Sequence, residues 1–112
     1  MYILNWDHES RLLEANLAGI VTEGEADAFL DDLRALLREA AHSEFAFILD
    51  AGRARQSGAV SSTLEDARTM AIFAGATRLR CILNDEEELF QQVERRLEPV
   101  LGGTEVYELR AA

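Results

Sequence analysis

The sequence predicts an α/β fold with a mixed β-sheet, and three features of its 112 residues support this expectation. Short apolar segments alternate with longer segments in which apolar residues recur every three or four positions. Two strand-like segments come first with only a short turn between them, which indicates an antiparallel hairpin. The later alternation of strands and helices indicates crossover connections between parallel strands. We therefore expect the order β-β-α-β-α-β-α-β, with the helices packed on the sheet.

The first part of the chain should form a hairpin followed by an amphipathic helix. The segments Tyr2–Trp6 and Leu12–Leu17 have the composition of strands, and residues 7–11 between them are polar turn formers. Thr22 and Glu25 match a capping box, in which a hydroxyl and a carboxylate accept hydrogen bonds from free amides at a helix start. The apolar positions of this helix recur at helical spacing: Ala26, Phe29, Leu30, Leu33, Leu36, Leu37 and Ala40.

The middle of the chain should contain a central strand, a loop and a second helix. Phe45–Leu49 is a continuous apolar run, which is typical of a strand covered on both faces. The residues Asp50–Ser61 include two glycines and several small polar residues, and they predict a loop. Ser62 and Glu65 match a second capping box, so a helix should begin near Ser62 and end near Gly75. Its core face should consist of Leu64, Ala67, Met70, Ala71 and Ala74.

The last part of the chain should add a strand, a third helix and a final strand. Leu79–Leu83 and Val106–Leu109 have strand character. Asn84 or Asp85 can cap a helix between them, and a Gly102-Gly103 pair follows that helix. The expected apolar face of the third helix is Leu89, Phe90, Val93 and Leu97.

The composition argues against several classes of partner. Acidic residues number 21 against 11 basic residues, which gives a formal net charge of −10. Because this charge repels phosphate groups and anionic lipid surfaces, we expect no nucleic-acid partner. The apolar runs are far too short to span a bilayer, so we expect no membrane insertion. No secretory signal is visible in the first residues, and a cytoplasmic location is the natural expectation.

Two local matches accompany the order of elements. Leu17-Ala18-Gly19 ends the second strand shortly before the helix that follows Thr22, and Ile48-Leu49-Asp50 ends the central strand. With this pattern the chain resembles STAS domains, named for sulfate transporters and anti-sigma factor antagonists. It also resembles bacterial families that share their fold with lipid-binding CRAL-TRIO-type modules. The resemblance covers nearly the whole chain and implies a single STAS-like domain over residues 1–112.

The resemblance implies a regulatory or scaffolding module that binds another protein, or itself as a homodimer, without catalysis and without a cofactor. No Gly-rich phosphate loop, HExxH pair, nucleophile elbow or Cys-His arrangement occurs, so we expect no enzyme. The alternative is a small lipid or ligand carrier of the CRAL-TRIO-like kind, with the third helix lining a cavity. A chain this short must use most of its apolar residues for its own core, which disfavours a carrier.

Three serines are candidate phosphoacceptors. In the family that this chain resembles, a serine in an Asp-Ser-Ser-Gly motif at the start of the second helix is phosphorylated to break binding to a kinase partner. This sequence departs from that motif, and its nearest candidates are Ser57, Ser61 and Ser62. Phosphate at a helix start would change both local structure and charge complementarity. The simpler interpretation is that the hydroxyls of Ser61 and Ser62 cap the helix.

Arg53 and Arg55 form a candidate anion-binding site. They lie beside Gly58 and the expected positive end of the second helix, and guanidinium groups together with free amides bind phosphate well. The alternative is that both arginines are solvated or paired with carboxylates.

The remaining chemical groups are expected to be structural. His8 and His42 stand alone, without other ligands at metal-binding spacing, so both should be surface residues and no metal site is expected. The acidic run 85–88 suits the first turn of a helix, whose dipole favours negative charge. Cys81 alternates with Leu79 and Leu83 on one strand face, which predicts a thiol buried in the core.

Ile72 and Phe73 are a candidate interface. At about 100° per residue, both fall well outside the arc of the second helix that faces the core. We expect both to be exposed and to form a partner or dimer surface. The alternative is that they are single surface hydrophobic residues, which are common.

Overall fold

A computed structural model describes the backbone of residues 1–55, 57–84 and 104–110, and the side chains of residues 1–55 and 57–83. These residues form an α/β fold in which a mixed sheet packs against two helices, as the sequence predicts. The strands are β1 (Tyr2–Asp7), β2 (Leu12–Gly19), β3 (Phe45–Ala54), β4 (Ala76–Asn84) and β5 (Thr104–Arg110). The helices are α1 (Glu23–Ala40) and α2 (Gly58–Ala74). The expected third helix falls in residues 85–103, outside the described part of the chain.

The strands lie in the sheet in chain order, β1-β2-β3-β4-β5. The pair β1 and β2 is antiparallel, which confirms the expected hairpin, and each later pair is parallel. The carboxylate of Asp7 stabilises the hairpin turn because its Oδ1 accepts a hydrogen bond of 3.0 Å from the backbone N–H of Glu9.

Helix α1 begins and packs as predicted. The hydroxyl oxygen of Thr22 accepts a hydrogen bond of 3.1 Å from the backbone N–H of Glu25. The core face is buried at Ala26, Phe29, Leu33, Leu37 and Ala40. Leu30 and Leu36 are partly buried at its margins. Full burial of an aromatic side chain such as Phe29 contributes about 1.5–3 kcal/mol, so this face is a principal source of stability.

The prediction of a loop over Asp50–Ser61 is wrong for most of these residues. Strand β3 continues through Ala54 because this segment pairs with the end of β2, where Ala18 and Gly19 lie opposite Arg53 and Ala54. The chain then turns within a few residues into α2. Its N-cap is Ser57, whose hydroxyl oxygen accepts from the backbone N–H of Val60, and not the predicted Ser62.

The end and the core face of α2 follow the sequence pattern. Gly75 caps the helix at φ 103°, a left-handed conformation that glycine adopts without strain. Leu64, Ala67 and Ala71 are buried as expected, and Met70 and Ala74 pack against the core. Val60 is also buried, in the part of the helix that precedes the predicted start, and so is Thr63.

The hydrophobic core lies between the two helices and one face of the sheet. The inward side chains of β2, β3 and β4 are buried at Leu13, Ala15, Leu17, Phe45, Phe47, Leu49, Ala51, Leu79, Cys81 and Leu83. The other face is less covered, since Ala46 and Ile48 are only half-buried. The expectation that the apolar run of β3 is covered on both faces is therefore wrong for the described residues.

Candidate functional site

A groove lies between the C-terminal halves of α1 and α2, and we call it the helix groove. Its volume is about 360 Å³. The wall from α1 and its C-cap consists of Arg34, Leu37, Arg38 and Ala41. The wall from α2 consists of Thr69, Met70, Phe73 and Ala74. The groove thus combines an apolar lining with two guanidinium groups at its α1 side.

Phe73 is the most exposed large apolar side chain of the groove, with 87% of its surface accessible. Its position follows from helical geometry, because Phe73 lies about 200° around the helix from the buried Ala71. The expected exposure is therefore confirmed for Phe73. It is wrong for Ile72, which is half-buried and packs against the core. A helical projection of α2 alone does not show this, because it leaves out the neighbouring core residues against which Ile72 packs.

The two arginines of the groove differ in their surroundings. Arg34 donates a hydrogen bond of 3.0 Å to Asp31 on the same helix, and its side chain remains 54% exposed. Arg38 is exposed in the last turn of α1 and has no ion-pair partner among the residues that the structure describes. Two cations spaced four residues apart therefore lie on one face of α1.

The chemistry of the helix groove suits an apolar group that lies beside a carboxylate. The apolar group would pack against Phe73, Met70 and Leu37, while the carboxylate would accept hydrogen bonds from Arg38. The sequence alone indicated Phe73 but not the arginines. Their spacing shows that they share a face of α1, and only the packing of α1 against α2 brings that face beside Phe73.

The candidate phosphoacceptors occupy different positions at the start of α2. Ser57 is exposed and is the N-cap, so a phosphate there would lie next to the free amides of the first turn. Ser61 is half-buried in the first turn. Ser62 is exposed and lines a cleft with carboxylates of both helices, including Asp27 and Asp66, which would repel a phosphate. Ser57 is thus the position best suited to accept phosphate.

The candidate anion site differs from its sequence-based description. Arg53 is exposed at the end of β3, in a strand and not in a loop, and it lines a cleft that also contains Asp50. Arg55 is exposed just after the strand, and its backbone N–H donates a hydrogen bond of 2.8 Å to the carbonyl of Gly19. No contact between the two guanidinium groups and the start of α2 is evident within the described residues.

The other singled-out groups lie apart from the helix groove. His8 and His42 are exposed, and the thiol of Cys81 is buried, as predicted. Within residues 1–55 and 57–83, no three side chains of His, Cys, Asp or Glu are grouped so that they could hold a metal ion. Neither of the two described helices is long and apolar enough to cross a membrane. The acidic run 85–88 lies outside the described residues.

No protein-family model matches the sequence, and a comparison with curated proteins gives no match.

Proposed function

We propose that this chain is a non-catalytic regulatory or scaffolding module that binds another protein through the helix groove. The observation that carries the proposal is the 87% exposure of Phe73 at the edge of an apolar groove. Large exposed apolar side chains that adjoin further apolar surface are typical of interaction sites. The aromatic ring would bury substantial area on binding, and buried aromatic residues dominate the affinity of many interfaces.

Charge supports a particular kind of partner. The chain carries a formal net charge of −10, yet the helix groove has arginines on one side and no carboxylate in its lining. We infer that the partner presents an apolar side chain flanked by an acidic residue. The acidic remainder of the surface would oppose the approach of highly acidic proteins. The groove would therefore select a partner that has a carboxylate at the binding segment but no large overall negative charge.

The proposal includes a STAS-like domain with the full order β-β-α-β-α-β-α-β. It is supported by the mixed sheet, by the strand order and by the two helices packed on one face. We propose no catalytic step and no cofactor. We place the interaction in the cytoplasm.

Affinity purification from the native cell tests the proposed function. Wild-type protein and a Phe73→Glu variant serve as baits, and mass spectrometry compares the proteins that they retain. We expect at least one protein that wild type retains and Phe73→Glu loses, because the charged side chain cannot pack into an apolar partner site.

An Ile20→Glu variant is the matched control. Ile20 is 69% exposed and lies outside the helix groove, so the same change of chemistry there should leave the retained partner in place. Circular dichroism confirms that both variants fold. If folded Phe73→Glu retains the same proteins as wild type, the helix groove is not the binding site.

A further inference from the structure

Strand β1 forms one edge of the sheet, and the outer side of this strand carries free backbone groups. It lies at the end of the strand order and pairs with β2 alone among the described strands. The backbones of Met1 and Ala18 exchange two hydrogen bonds, of 3.0 and 2.8 Å. Such pairs alternate along an antiparallel ladder, so Ile3 and Asn5 bond to β2 in the same way. The backbone N–H and C=O groups that point away from β2 belong to the alternate residues Tyr2, Leu4 and Trp6.

Strand β1 lacks several features that commonly keep an edge strand from pairing with another chain. Its 6 residues include no lysine and no proline, and their register with β2 runs without a shift. On the helix side of the sheet, Tyr2, Leu4 and Trp6 are partly buried and pack against the core. On the other side Ile3 is 58% exposed. An added strand at this edge would therefore gain both backbone hydrogen bonds and apolar contacts.

A row of carboxylates lies on the side of α1 that is turned toward β1. It consists of Glu25, Asp32 and Glu39, and we call it the acidic row. These residues are spaced seven apart, which places them on one side of the helix. Asp32 accepts a hydrogen bond from the hydroxyl of Tyr2, and Glu25 contacts the amino group of Met1. Both contacts show that this side of α1 adjoins the edge strand.

Two carboxylates of the acidic row are available to a ligand at the edge. Asp32 uses Oδ2 in its bond to β1, and a carboxylate accepts several hydrogen bonds, so Oδ1 can accept another. Glu39 is exposed and has no ion-pair partner among the residues that the structure describes. Its neighbour Ala40 accepts a hydrogen bond from Arg11, whose guanidinium group lies over the ring of Trp6. Asp32 thus lies beside the start of β1, and Glu39 lies toward its end.

We propose that the β1 edge binds an extended segment of a basic partner protein, which adds to the sheet as an antiparallel strand. The segment has Lys or Arg at its first and fifth positions and an apolar residue at its third. These three side chains lie on the helix side, opposite Trp6, Leu4 and Tyr2. The apolar residue packs beside Leu4, and the basic residues reach the acidic row.

The spacing of the charges supports this pattern. Side chains four residues apart on a strand are separated by about 13 Å. Asp32 and Glu39 are separated by about 10 Å along the axis of α1. The difference is small compared with the length of a lysine or arginine side chain, so one basic residue can reach each carboxylate. Each such contact is a charge-assisted hydrogen bond.

Charge argues against a second copy of this chain as the added strand. Antiparallel pairing of β1 with itself keeps both α1 helices on one face of the joined sheet, with their acidic rows turned toward each other. Each copy also carries a formal net charge of −10. Like charges would oppose this pairing, whereas a basic segment is attracted to the same place.

The proposal is independent of the helix groove. The groove lies on the side of α1 that faces α2, where Arg34 and Arg38 supply positive charge. The acidic row lies on the opposite side of the same helix. The two surfaces therefore select segments of opposite charge, and either one can bind without the other.

An NMR titration of the isotope-labelled full chain with the peptide TRVLVRT, blocked at both ends, tests the proposal. This probe carries the two arginines and the central leucine at the proposed spacing. We expect the amide signals of β1 to shift in fast or intermediate exchange, and the affinity to fall as the salt concentration rises. The peptide TEVLVET, with glutamates in place of the arginines, should not bind.

N-methylation of the peptide distinguishes strand addition from a general attraction between charges. A methyl group on the leucine nitrogen removes a hydrogen bond to the edge and obstructs the approach, so affinity should fall about tenfold or more. The valine N–H groups point away from β1 in the proposed register. A methyl group on a valine nitrogen should therefore leave the affinity nearly unchanged.

Paired variants of α1 test the acidic row. Asp32→Asn together with Glu39→Gln should weaken binding of TRVLVRT about fivefold, because two exposed ion pairs are lost. Asp27→Asn together with Glu23→Gln is the matched control. It removes the same charge from the side of α1 that faces α2, so the affinity should stay close to that of wild type.

Three results would overturn the proposal. The first is the absence of any shift of β1 signals at millimolar TRVLVRT. The second is equal affinity for TRVLVRT and for its variant methylated at leucine. The third is a wild type that sediments as a dimer and whose Tyr2, Leu4 and Trp6 amides are protected from hydrogen exchange, since a second copy would then occupy the edge.

Discussion

Arg11 connects three parts of the fold through one side chain. Its guanidinium group donates hydrogen bonds to the carbonyls of Ala40, Ser43 and Glu44 at 2.6, 3.1 and 3.1 Å. The same group lies 4.9 Å from the ring centroid of Trp6. The hairpin turn is thereby attached to the C-terminal end of α1 and to the start of β3. Arg11 adopts φ 55°, in the left-handed region that few residues other than glycine occupy.

We predict that Arg11→Lys lowers the free energy of unfolding by about 2 kcal/mol. Lysine keeps the charge but lacks the planar fork that reaches several carbonyls at once. Urea denaturation measures the change, and Arg55→Lys at an exposed position is the control. Equal stability of the Arg11→Lys variant and wild type would show that the fork contributes nothing.

Tyr2 joins β1 to α1 by a hydrogen bond that responds to pH. Its hydroxyl donates to Oδ2 of Asp32 at 2.5 Å, and its ring packs edge-on against Phe29. The hydrogen bond to Asp32 is the main cause that raises the pKa of Tyr2 above its ordinary value of 10.0. The contribution of this bond to stability is therefore complete below about pH 10 and is lost as the pH rises through the raised pKa.

Absorbance titration of tyrosine in a Tyr107→Phe background measures this pKa, because Tyr2 is then the only tyrosine. We predict a pKa above 10.0, which returns toward that value in Asp32→Asn, since the amide removes the charge that opposes ionisation. An unshifted titration in the Tyr107→Phe background would contradict the hydrogen bond.

At the level of elements, Ser57 and Ser62 have different roles near the start of α2: Ser57 caps the helix, and Ser62 lies inside it. We predict that Ser57→Ala lowers the free energy of unfolding by about 1 kcal/mol, because it removes the N-cap hydrogen bond to Val60. Ser62→Ala should change stability little, since Ser62 lies inside the helix and is exposed. Thermal unfolding of the two variants gives the comparison, and the reverse order of effects would place the helix start near Ser62.

The elements that the sequence predicts best are those whose signals are local. The capping residue and apolar face of α1 both follow from spacing along the chain, and so does the glycine that ends α2. The extension of β3 to Ala54 could not be predicted in this way. Its residues are small or polar, and they form a strand because β2 offers free backbone groups beside them.

The sequence pattern predicts the wrong start for α2, for a related reason. The pattern of a hydroxyl followed three residues later by a glutamate occurs at Ser62 and Glu65, but both lie within the helix. Ser57 caps the helix although no acidic residue lies three positions after it. A short pattern of this kind is a reliable sign that a helix lies nearby. It is a less reliable sign of which residue begins the helix.

For the whole molecule, the decisive feature is that α1 and α2 pack on the same face of the sheet. The sequence predicts that helices cover the sheet, but the apolar run of β3 does not reveal which face α1 and α2 cover. The helix groove lies on that side of the sheet, and Ala46 and Ile48 lie half-buried on the other side. The groove could be predicted in part, since Phe73 stands out on a helical projection, whereas Arg34 and Arg38 join it only through the packing of two helices.

The central claim is that Phe73 anchors a protein partner, and isothermal titration calorimetry with a partner identified by affinity purification tests it most directly. Burial of a phenylalanine side chain is worth about 1.5–3 kcal/mol, so Phe73→Ala should weaken binding about tenfold or more. Ile20→Ala should leave the dissociation constant unchanged. A Phe73→Ala variant that folds and binds the partner as tightly as wild type would contradict the claim.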